Sequence, residues 1–186
     1  MEAGKPTSPA RVPALDKTAI ERSIKRVAHE IIERNPATAD IVLIGILRRG
    51  ASLAERLARY VHSASDLTVA VGVLDISAYR DDGRGSPTAP EVLGREIPFA
   101  LDGRRVILVD DVLYTGRTVR AALDAIADLG RPESVQLAVL VDRGERELPI
   151  RADYVGKNIN APAGQRVYVR LEEVDGIDAV VIGGGK

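Results

Sequence analysis

The fold is decided by the stretch Val106-Ile107-Leu108-Val109-Asp110-Asp111-Val112-Leu113-Tyr114-Thr115-Gly116-Arg117-Thr118. Its apolar start predicts a strand from Arg105 to Val109 that is covered on both faces of a parallel sheet. After two carboxylates and a polar turn, an amphipathic pattern predicts a helix from about Arg117 to Leu129, ended by Gly130. A second apolar run, Ser134 to Val141, completes a strand–helix–strand unit.

The same alternation continues on both sides of this unit. Asp16 is placed to cap a helix that Asn35-Pro36 ends, and a second helix is predicted from about Ala51 to Val61. The further predicted strands are Ile41–Leu47, Val69–Ile76, Tyr154-Val155, Arg166–Leu171 and Ala179–Ile182. Strands alternating with helices predict an α/β domain with a mainly parallel central sheet, whose ligands lie beyond the carboxyl ends of the strands.

Length and composition predict one domain over residues 14–186. The 186 residues are 45% hydrophobic, which is enough for an ordinary core. Residues 1–13 carry three prolines and no apolar run, so we expect a flexible tail and not a signal peptide. The long connection at about 77–103, rich in glycine and proline, predicts a mobile active-site loop. No segment approaches the roughly 20 apolar residues of a membrane span, so we expect a cytoplasmic protein.

Charge and residue types narrow the possible partners. With 26 basic and 27 acidic side chains, the chain has no overall attraction to nucleic acid, so such a partner would need a local basic patch. The absence of cysteine and the presence of only two histidines exclude thiolate metal sites and leave little for an imidazole cluster. Any metal is therefore expected to be bound by oxygen.

The segment after the strand suits a sugar phosphate. Free N–H groups and the positive dipole end at the start of the helix favour a phosphate dianion near Thr115 and Thr118, and Gly116 allows close approach of the backbone. Asp110 and Asp111 lie just before this point and suit the vicinal hydroxyls of a ribose, directly or through a hydrated Mg²⁺. Phosphate and sugar would then be bound in order along the segment.

An Asp-Asp pair followed by Thr-Gly is, taken alone, more typical of a polar turn than of a ligand-binding site. The full combination of buried strand, paired acids, turn and helix is more specific, and Val109 to Thr118 resembles the motif by which type I phosphoribosyltransferases bind phosphoribosyl pyrophosphate (PRPP). Neither the Gly-Lys-Ser/Thr of a P-loop nor a Rossmann Gly-x-Gly-x-x-Gly is present. This resemblance implies the type I phosphoribosyltransferase fold, in which helices flank a mainly parallel sheet, with a flexible active-site loop and a small hood.

Nearly the whole chain also resembles one family, PyrR. The stretches that carry this resemblance are Arg26-Val27-Ala28-His29-Glu30, Asp75-Ile76, Tyr79-Arg80-Asp81-Asp82, Val106 to Arg120, Gln136 to Gly144, and Arg146 to Asn158. The resemblance implies a uracil phosphoribosyltransferase, which converts uracil and PRPP to UMP and pyrophosphate. It also implies an RNA-binding regulator that responds to UMP or UTP, binds a messenger RNA hairpin of the pyrimidine operon leader and promotes transcription attenuation. A homo-oligomer, a dimer or larger, is the expected assembly.

The family's pyrophosphate loop matches Arg48, Arg49 and Gly50, although a threonine more often stands at position 48. Arg49 offers a cation with fork geometry for phosphate oxygens. Tyr79 and Arg80 open the long loop and are expected to close over the pyrophosphate. The predicted catalytic residues are therefore Asp110, Asp111, Arg80 and Arg49, with Asp110 and Asp111 as the Mg²⁺ ligands and Asp111 a candidate general base.

The resemblance places uracil near Arg143 to Ile159 and RNA on a basic surface. The implied RNA contacts are Lys25, Arg26, His29, Arg146, Arg151 and Lys157. Two departures from the family pattern bear on this surface, because Glu145 stands where histidine is usual and Asn160 to Gly164 replaces a segment rich in Thr and Ser. An added carboxylate on a phosphate-facing surface would repel RNA. The helix that carries Lys25, Arg26 and His29 also has mixed charge, which is typical of an ordinary solvated helix.

Two other functions stay open on the sequence. One is an RNA-binding nucleotide sensor with little catalysis, which the intact set of Asp110, Asp111, Arg49 and Arg80 disfavours. The other is a phosphoribosyltransferase for a different nucleobase, which only the resemblance of residues 142–158 to PyrR argues against.

Overall fold

The structure is a computed structural model that describes residues 12–36, 40–79 and 96–184. The strands are β1 (Val12–Leu15), β2 (Ile41–Ile46), β3 (Ala70–Leu74), β4 (Arg105–Leu113), β5 (Ser134–Asp142), β6 (Tyr154–Asn158), β7 (Gln165–Arg170) and β8 (Ala179–Gly184). The helices are α1 (Lys17–Arg34), α2 (Arg49–Ser65), α3 (Arg117–Leu129) and α4 (Glu172–Asp175).

The central sheet has the order β3-β2-β4-β5-β6, and all four pairings are parallel. The prediction of a parallel α/β sheet is therefore confirmed. Strand β4 is at the centre, where alternate residues face two separate cores: Ile107 and Val109 pack with α1 and α2, while Val106 and Leu108 pack with α3. Burial on both faces explains why the strand is uniformly apolar.

The small hood is a second, antiparallel sheet in the order β1-β8-β7. Residues 12 and 13, which the sequence placed in the tail, form part of β1, because Val12 and Pro13 pair with Ile182 and Val181 of β8. Residues 1–11 lie outside the described part of the chain.

The connection after β3 is also more ordered at its ends than a loop over 77–103 would be. Glu96 forms an antiparallel bridge with Val73 of β3, and Ile97 and Phe99 pack against the core beside α3. Leu101 is almost fully buried. Residues 80–95, the centre of the predicted lid, lie outside the described residues.

Strand β6 is the outer strand on one side of the sheet, and arginines of α1 lie along it. Arg26 donates hydrogen bonds to the carbonyls of Val155 and Gly156 at 2.9 and 2.6 Å. Arg34 donates to the carbonyl of Asp153 at 3.0 Å and stacks over the ring of Tyr154, 5.2 Å from its centroid. Within the described residues, no helix is long and apolar enough to cross a bilayer.

Candidate active site

Two adjoining cavities lie where the carboxyl end of the sheet meets the hood. The first, of about 420 Å³, is lined by residues 112–119, by Arg143 and by two residues of β7, Arg166 and Val167. The second, of about 390 Å³, is lined by Arg49, Asp111, Asp175 and residues 167–170. Val167 lines both cavities, so the site extends continuously from the start of α3 to the start of α2.

The start of α3 forms one end of this site. Gly116 takes a left-handed conformation, with φ of 94°, and has no side chain to cap the helix. A Cβ atom there would lie 3.3 Å from side-chain atoms of Leu148 and Ile150, so a larger residue would meet both backbone strain and crowding. The helix therefore begins with backbone N–H groups that suit an anion, as the sequence predicted.

The loop that leads into α3 is fixed from behind by residues 146–148. The carbonyl of Thr115 accepts hydrogen bonds from the backbone N–H groups of Glu147 and Leu148 at 3.0 and 3.1 Å. Arg146 donates to the carbonyl of Tyr114 at 3.0 Å. Thr115 and Thr118 are half-buried in the wall of the first cavity, and their place beside a phosphate stays a prediction.

Asp111 lines the second cavity, whereas its neighbour Asp110 is buried and lines neither cavity. Strand β4 does not end at Val109 as predicted but continues to Leu113, because Asp110, Val112 and Leu113 still pair with β5. The side chain of Asp110 accepts a hydrogen bond from the N–H of Asp111 at 2.8 Å, and that of Asp111 accepts one from Val112 at 2.9 Å. Backbone N–H groups of the strand thus hold both carboxylates in place.

The environment of Asp111 favours proton uptake. Burial raises the pKa of its carboxyl, and the Asp110 side chain and the charge of Arg49 oppose this effect without cancelling it. A carboxylate with a raised pKa is a better proton acceptor, which fits the prediction of Asp111 as a candidate base.

The turn from β2 into α2 lies against β4. A Cβ atom at Gly50 would lie 2.4 Å from the carbonyl oxygen of Val109, so only glycine allows this approach. The peptide bond between Leu47 and Arg48 is cis, and Arg48 is exposed. Arg49 is half-buried and lines the second cavity together with Asp111, whose charge acts on it.

Tyr79, predicted to close over the pyrophosphate, contacts α3. Its ring packs against the core beside α3, and its hydroxyl donates to Asp128 at 2.9 Å. Asp128 lies in the last turn of α3, roughly 18 Å along the helix from Gly116 at 1.5 Å per residue. The role of Tyr79 in pyrophosphate binding stays a prediction. Arg80, predicted to be catalytic, lies outside the described residues.

Arg143, predicted to contact uracil, lines the first cavity. It is only 4% exposed, its guanidinium lies 4.0 Å from the centre of the Tyr114 ring, and it donates to the carbonyl of Gln165 at 2.8 Å and to Glu145 at 2.5 Å. Its Nε is buried without a hydrogen-bond partner. Ile159 packs in the core beside α1, so it would contact a base through its backbone only.

The predicted RNA-binding residues divide into two groups. Lys25, His29, Arg151 and Lys157 are exposed. Arg146 is instead a structural residue: besides Tyr114 it donates to the carbonyls of Ile150 and Gly144 and to the carboxylate of Asp142. Arg26 belongs with Arg146 in its contacts, because it binds carbonyls of β6 and pairs with Glu30, although it is exposed.

Sequence reasoning missed the hood's contribution to the site. Val167, Arg170 and Asp175 line the cavities although no motif marked them. They reach the site only because β7 and α4 fold back over the sheet, which no local pattern reveals. For metal binding, no group of three His, Cys, Asp or Glu side chains is preassembled in residues 12–36, 40–79 and 96–184.

A family model described as the phosphoribosyl transferase domain matches residues 14–170. The bifunctional protein PyrR of Pelotomaculum thermopropionicum is 60% identical over 168 residues, which cover 90% of this chain and 93% of that protein. The bifunctional protein PyrR of a Roseiflexus species is 57% identical over 169 residues, covering 90% and 92%.

The fold is also similar to solved structures at low sequence identity. The hypoxanthine phosphoribosyltransferase of Trypanosoma cruzi superimposes with a TM-score of 0.72 at 22% identity, over 95% of this chain and 98% of that one. That of Staphylococcus aureus gives a TM-score of 0.68 at 20% identity, over 94% and 92%. At such identities the likeness supports the fold alone.

Proposed function

Because the chain belongs to the PyrR family within the phosphoribosyl transferase domain proteins, we propose that it transfers the phosphoribosyl group of PRPP to uracil, giving UMP and pyrophosphate. The observation that carries this proposal is the order of the site. A helix start that suits an anion, Asp111 and Arg49 follow one another along two adjoining cavities, with Asp110 buried next to Asp111. This order matches the 5′-phosphate, ribose and pyrophosphate of PRPP.

Each part of the site has a role in the transfer. The N–H groups at the start of α3 bind the 5′-phosphate, and Asp110 and Asp111 bind the ribose hydroxyls. Arg49 stabilises the pyrophosphate that leaves when its bond to C1 breaks and uracil N1 bonds to C1. The proton of N1 is lost in this step, and Asp111, whose pKa is raised, is the candidate acceptor.

Asp110 and Asp111 are also the residues that would hold Mg²⁺. Two carboxylates fit an ion that prefers oxygen ligands and keeps several positions for water and substrate phosphates. When bound, the ion would neutralise charge on the departing pyrophosphate. Two carboxylates form an incomplete site on their own, so the ion is expected to arrive together with PRPP.

The reaction is tested by measuring nucleotide formation from PRPP with uracil, hypoxanthine, guanine or orotate. We expect turnover with uracil, and its loss by on the order of a hundredfold or more in Asp110→Asn/Asp111→Asn, because the two negative charges that would bind the ribose hydroxyls and Mg²⁺ are removed. Asp124→Asn, at an exposed position of α3, is the matched control and should behave as wild type. Turnover with another base and none with uracil would refute the assignment of uracil.

We also propose that the protein binds an RNA hairpin of the pyrimidine operon leader and regulates transcription in response to UMP or UTP. The favourable observation is that Lys25 and His29 of α1 and Lys157 of β6 are exposed, on two elements that Arg26 joins through the carbonyls of Val155 and Gly156. The ammonium of Lys25 lies over the ring of Tyr60 of α2, 5.3 Å from its centroid. These three exposed cations, the candidate strip, suit the phosphates of a hairpin.

For this strip we expect Lys25→Ala/Lys157→Ala to weaken binding of the leader hairpin and to reduce the salt dependence of the binding constant by about two in logarithmic slope. UMP synthesis should be unchanged, because neither residue lines the two cavities. Filter binding at several salt concentrations measures the affinity for the hairpin and its salt dependence. Lys17→Ala is the control, since Lys17 is also exposed on α1 but pairs with Glu172 of the hood at 2.7 Å. Equal affinity in wild type and double variant would exclude the strip as the RNA site.

A further inference from the structure

The pyrophosphate side of the site contains a pair that joins the hood to α2. Arg49 donates from Nε to one carboxylate oxygen of Asp175 at 2.9 Å and from Nη2 to the other at 2.7 Å. This two-point contact uses the side of the guanidinium. A guanidinium has five N–H groups in a rigid plane, so its far end, with Nη1 and the second N–H of Nη2, stays available for another anion.

Asp175 is itself held firmly. Its carboxylate also accepts a hydrogen bond from the backbone N–H of Leu171 at 2.9 Å. The helix that carries it, α4, is fastened to α2 at a second point, where Arg56 makes paired hydrogen bonds to Glu173 and to Asp178 at 2.6–2.9 Å. The carboxylate therefore has a fixed place against which Arg49 is aligned.

Both residues belong to the wall of the second cavity, which also contains Asp111 and Arg170. An arginine on a free stem would lose considerable side-chain entropy when it bound pyrophosphate. An arginine already aligned by a carboxylate has lost that freedom before the ligand arrives. The contact thus lowers the cost of using Arg49 as an anion ligand.

We propose that Asp175 is a positioning residue for the pyrophosphate group, which fixes Arg49 side-on so that the end of its guanidinium faces the leaving group of PRPP. This inference rests on the proposed transferase function and adds to it a residue of the hood. Asp175 acts through Arg49 and does not itself bind the substrate.

The charge of Asp175 acts against this effect, because a carboxylate beside an anion site repels the anion. Two arginines, Arg49 and Arg170, lie close to that charge. The hydrogen bonds from Arg49 lower the pKa of the Asp175 carboxyl, so the pair with Arg49 keeps its full charge assistance. Repulsion of the anion and alignment of Arg49 predict opposite effects on pyrophosphate binding when Asp175 is replaced.

The test compares two variants of the full chain that separate charge from geometry. Asp175→Asn removes the charge and one of the two acceptors, while Asp175→Glu keeps the charge but moves the carboxylate by one methylene. We expect both to weaken binding of magnesium pyrophosphate and to raise KM for PRPP by about three- to tenfold, the cost of ordering one long side chain. The dissociation constant for UMP, which has no pyrophosphate group, should stay the same in both, as measured by calorimetry.

Glu173→Gln is the matched control. Glu173 is on the same short helix as Asp175 and also pairs with an arginine of α2. Its partner, Arg56, lies outside both cavities. This substitution should lower the melting temperature and leave pyrophosphate binding unchanged. In an Arg49→Lys background, Asp175→Asn should have little further effect, since a lysine cannot form the side-on pair. This comparison in the Arg49→Lys background still tests the positioning role of Asp175 if one of the single variants folds poorly.

The outcomes are distinct. Tighter pyrophosphate binding in Asp175→Asn with unchanged binding in Asp175→Glu would show that Asp175 acts as a repulsive charge and would overturn the proposal. Equal losses for UMP and pyrophosphate would mean a purely structural role and would also overturn it. If the wild type bound neither PRPP nor pyrophosphate, the transferase function itself would fail, which is a different result from an effect confined to the variants.

Discussion

Arg146 and Arg151 show how two similar side chains in one segment have different roles. Both are basic residues in a stretch that resembles an RNA-binding surface, yet the structure buries most of Arg146 in contacts with Asp142 and with carbonyls, including that of Tyr114. Arg151 is exposed. The sequence could predict that the segment matters, but it could not predict which cation faces inward, because that depends on where the carbonyls of a distant loop lie.

For Arg146→Ala we expect a loss of about 2–3 kcal/mol in the free energy of unfolding, since several hydrogen-bond acceptors and the carboxylate of Asp142 lose their partner in a half-buried setting. KM for PRPP should rise as well, because the loop before Gly116 loses its tie at Tyr114. Urea denaturation and steady-state kinetics measure the two effects. Arg151→Ala should change neither quantity, and a similar loss of stability in both variants would contradict the structural role given to Arg146.

At the scale of elements, the sequence predicted the parallel sheet and its helices because apolar periodicity is local. The strand bounds at the site were less accurate: β4 extends through both acids since its pairing with β5 continues to Leu113. The hood was the least predictable part. Its strands β7 and β8 were predicted to within two residues of their ends, but the four-residue helix α4 and the strand β1, which joins the hood from the other end of the chain, were not. Pairing between such distant segments leaves no local signal.

The attachment of the hood to α2 predicts a dependence of stability on pH. The hydrogen bonds from Arg56 lower the pKa of Glu173. At Asp178 burial opposes ionisation, but Arg56 and the N–H of Glu172 outweigh it, so its pKa is lowered too. The pKa values of both carboxyls are lower in the folded than in the unfolded state. The two carboxylates therefore stabilise the fold at any pH above their unfolded pKa values, which are about 4. This stabilisation is lost as the pH falls through their pKa values in the folded state.

We therefore expect the free energy of unfolding to fall below about pH 4, and to fall less steeply in Arg56→Met, which should already be less stable at pH 7 because Asp178 stays buried without its partner. Urea denaturation from pH 7 to pH 3 would measure this. An identical pH profile in wild type and Arg56→Met would show that the pairing does not set the acid sensitivity.

For the molecule as a whole, the site lies between parts that are packed together through the two cores on either face of the central sheet. The core beside α1 and α2 includes Val169, Leu171 and Val180 of the hood region, so the hood shares its packing with the main sheet. A buried network at the opposite end, where Asn35, Gln136 and Tyr154 bond to one another at 2.7–3.3 Å, joins α1 to β5 and β6. The cavities thus lie between parts that are packed together.

The arginines of α1 along β6 have a consequence for how copies of the protein meet. An outer strand with free carbonyls is a template on which another chain can add a strand, which is a common route to aggregation. Here Arg26 and Arg34 already occupy carbonyls of residues 153, 155 and 156, and on the other side of the sheet Glu96 already pairs with β3. A second molecule would have to break these bonds to extend the sheet, so the protein is protected against growth into a continuous ribbon.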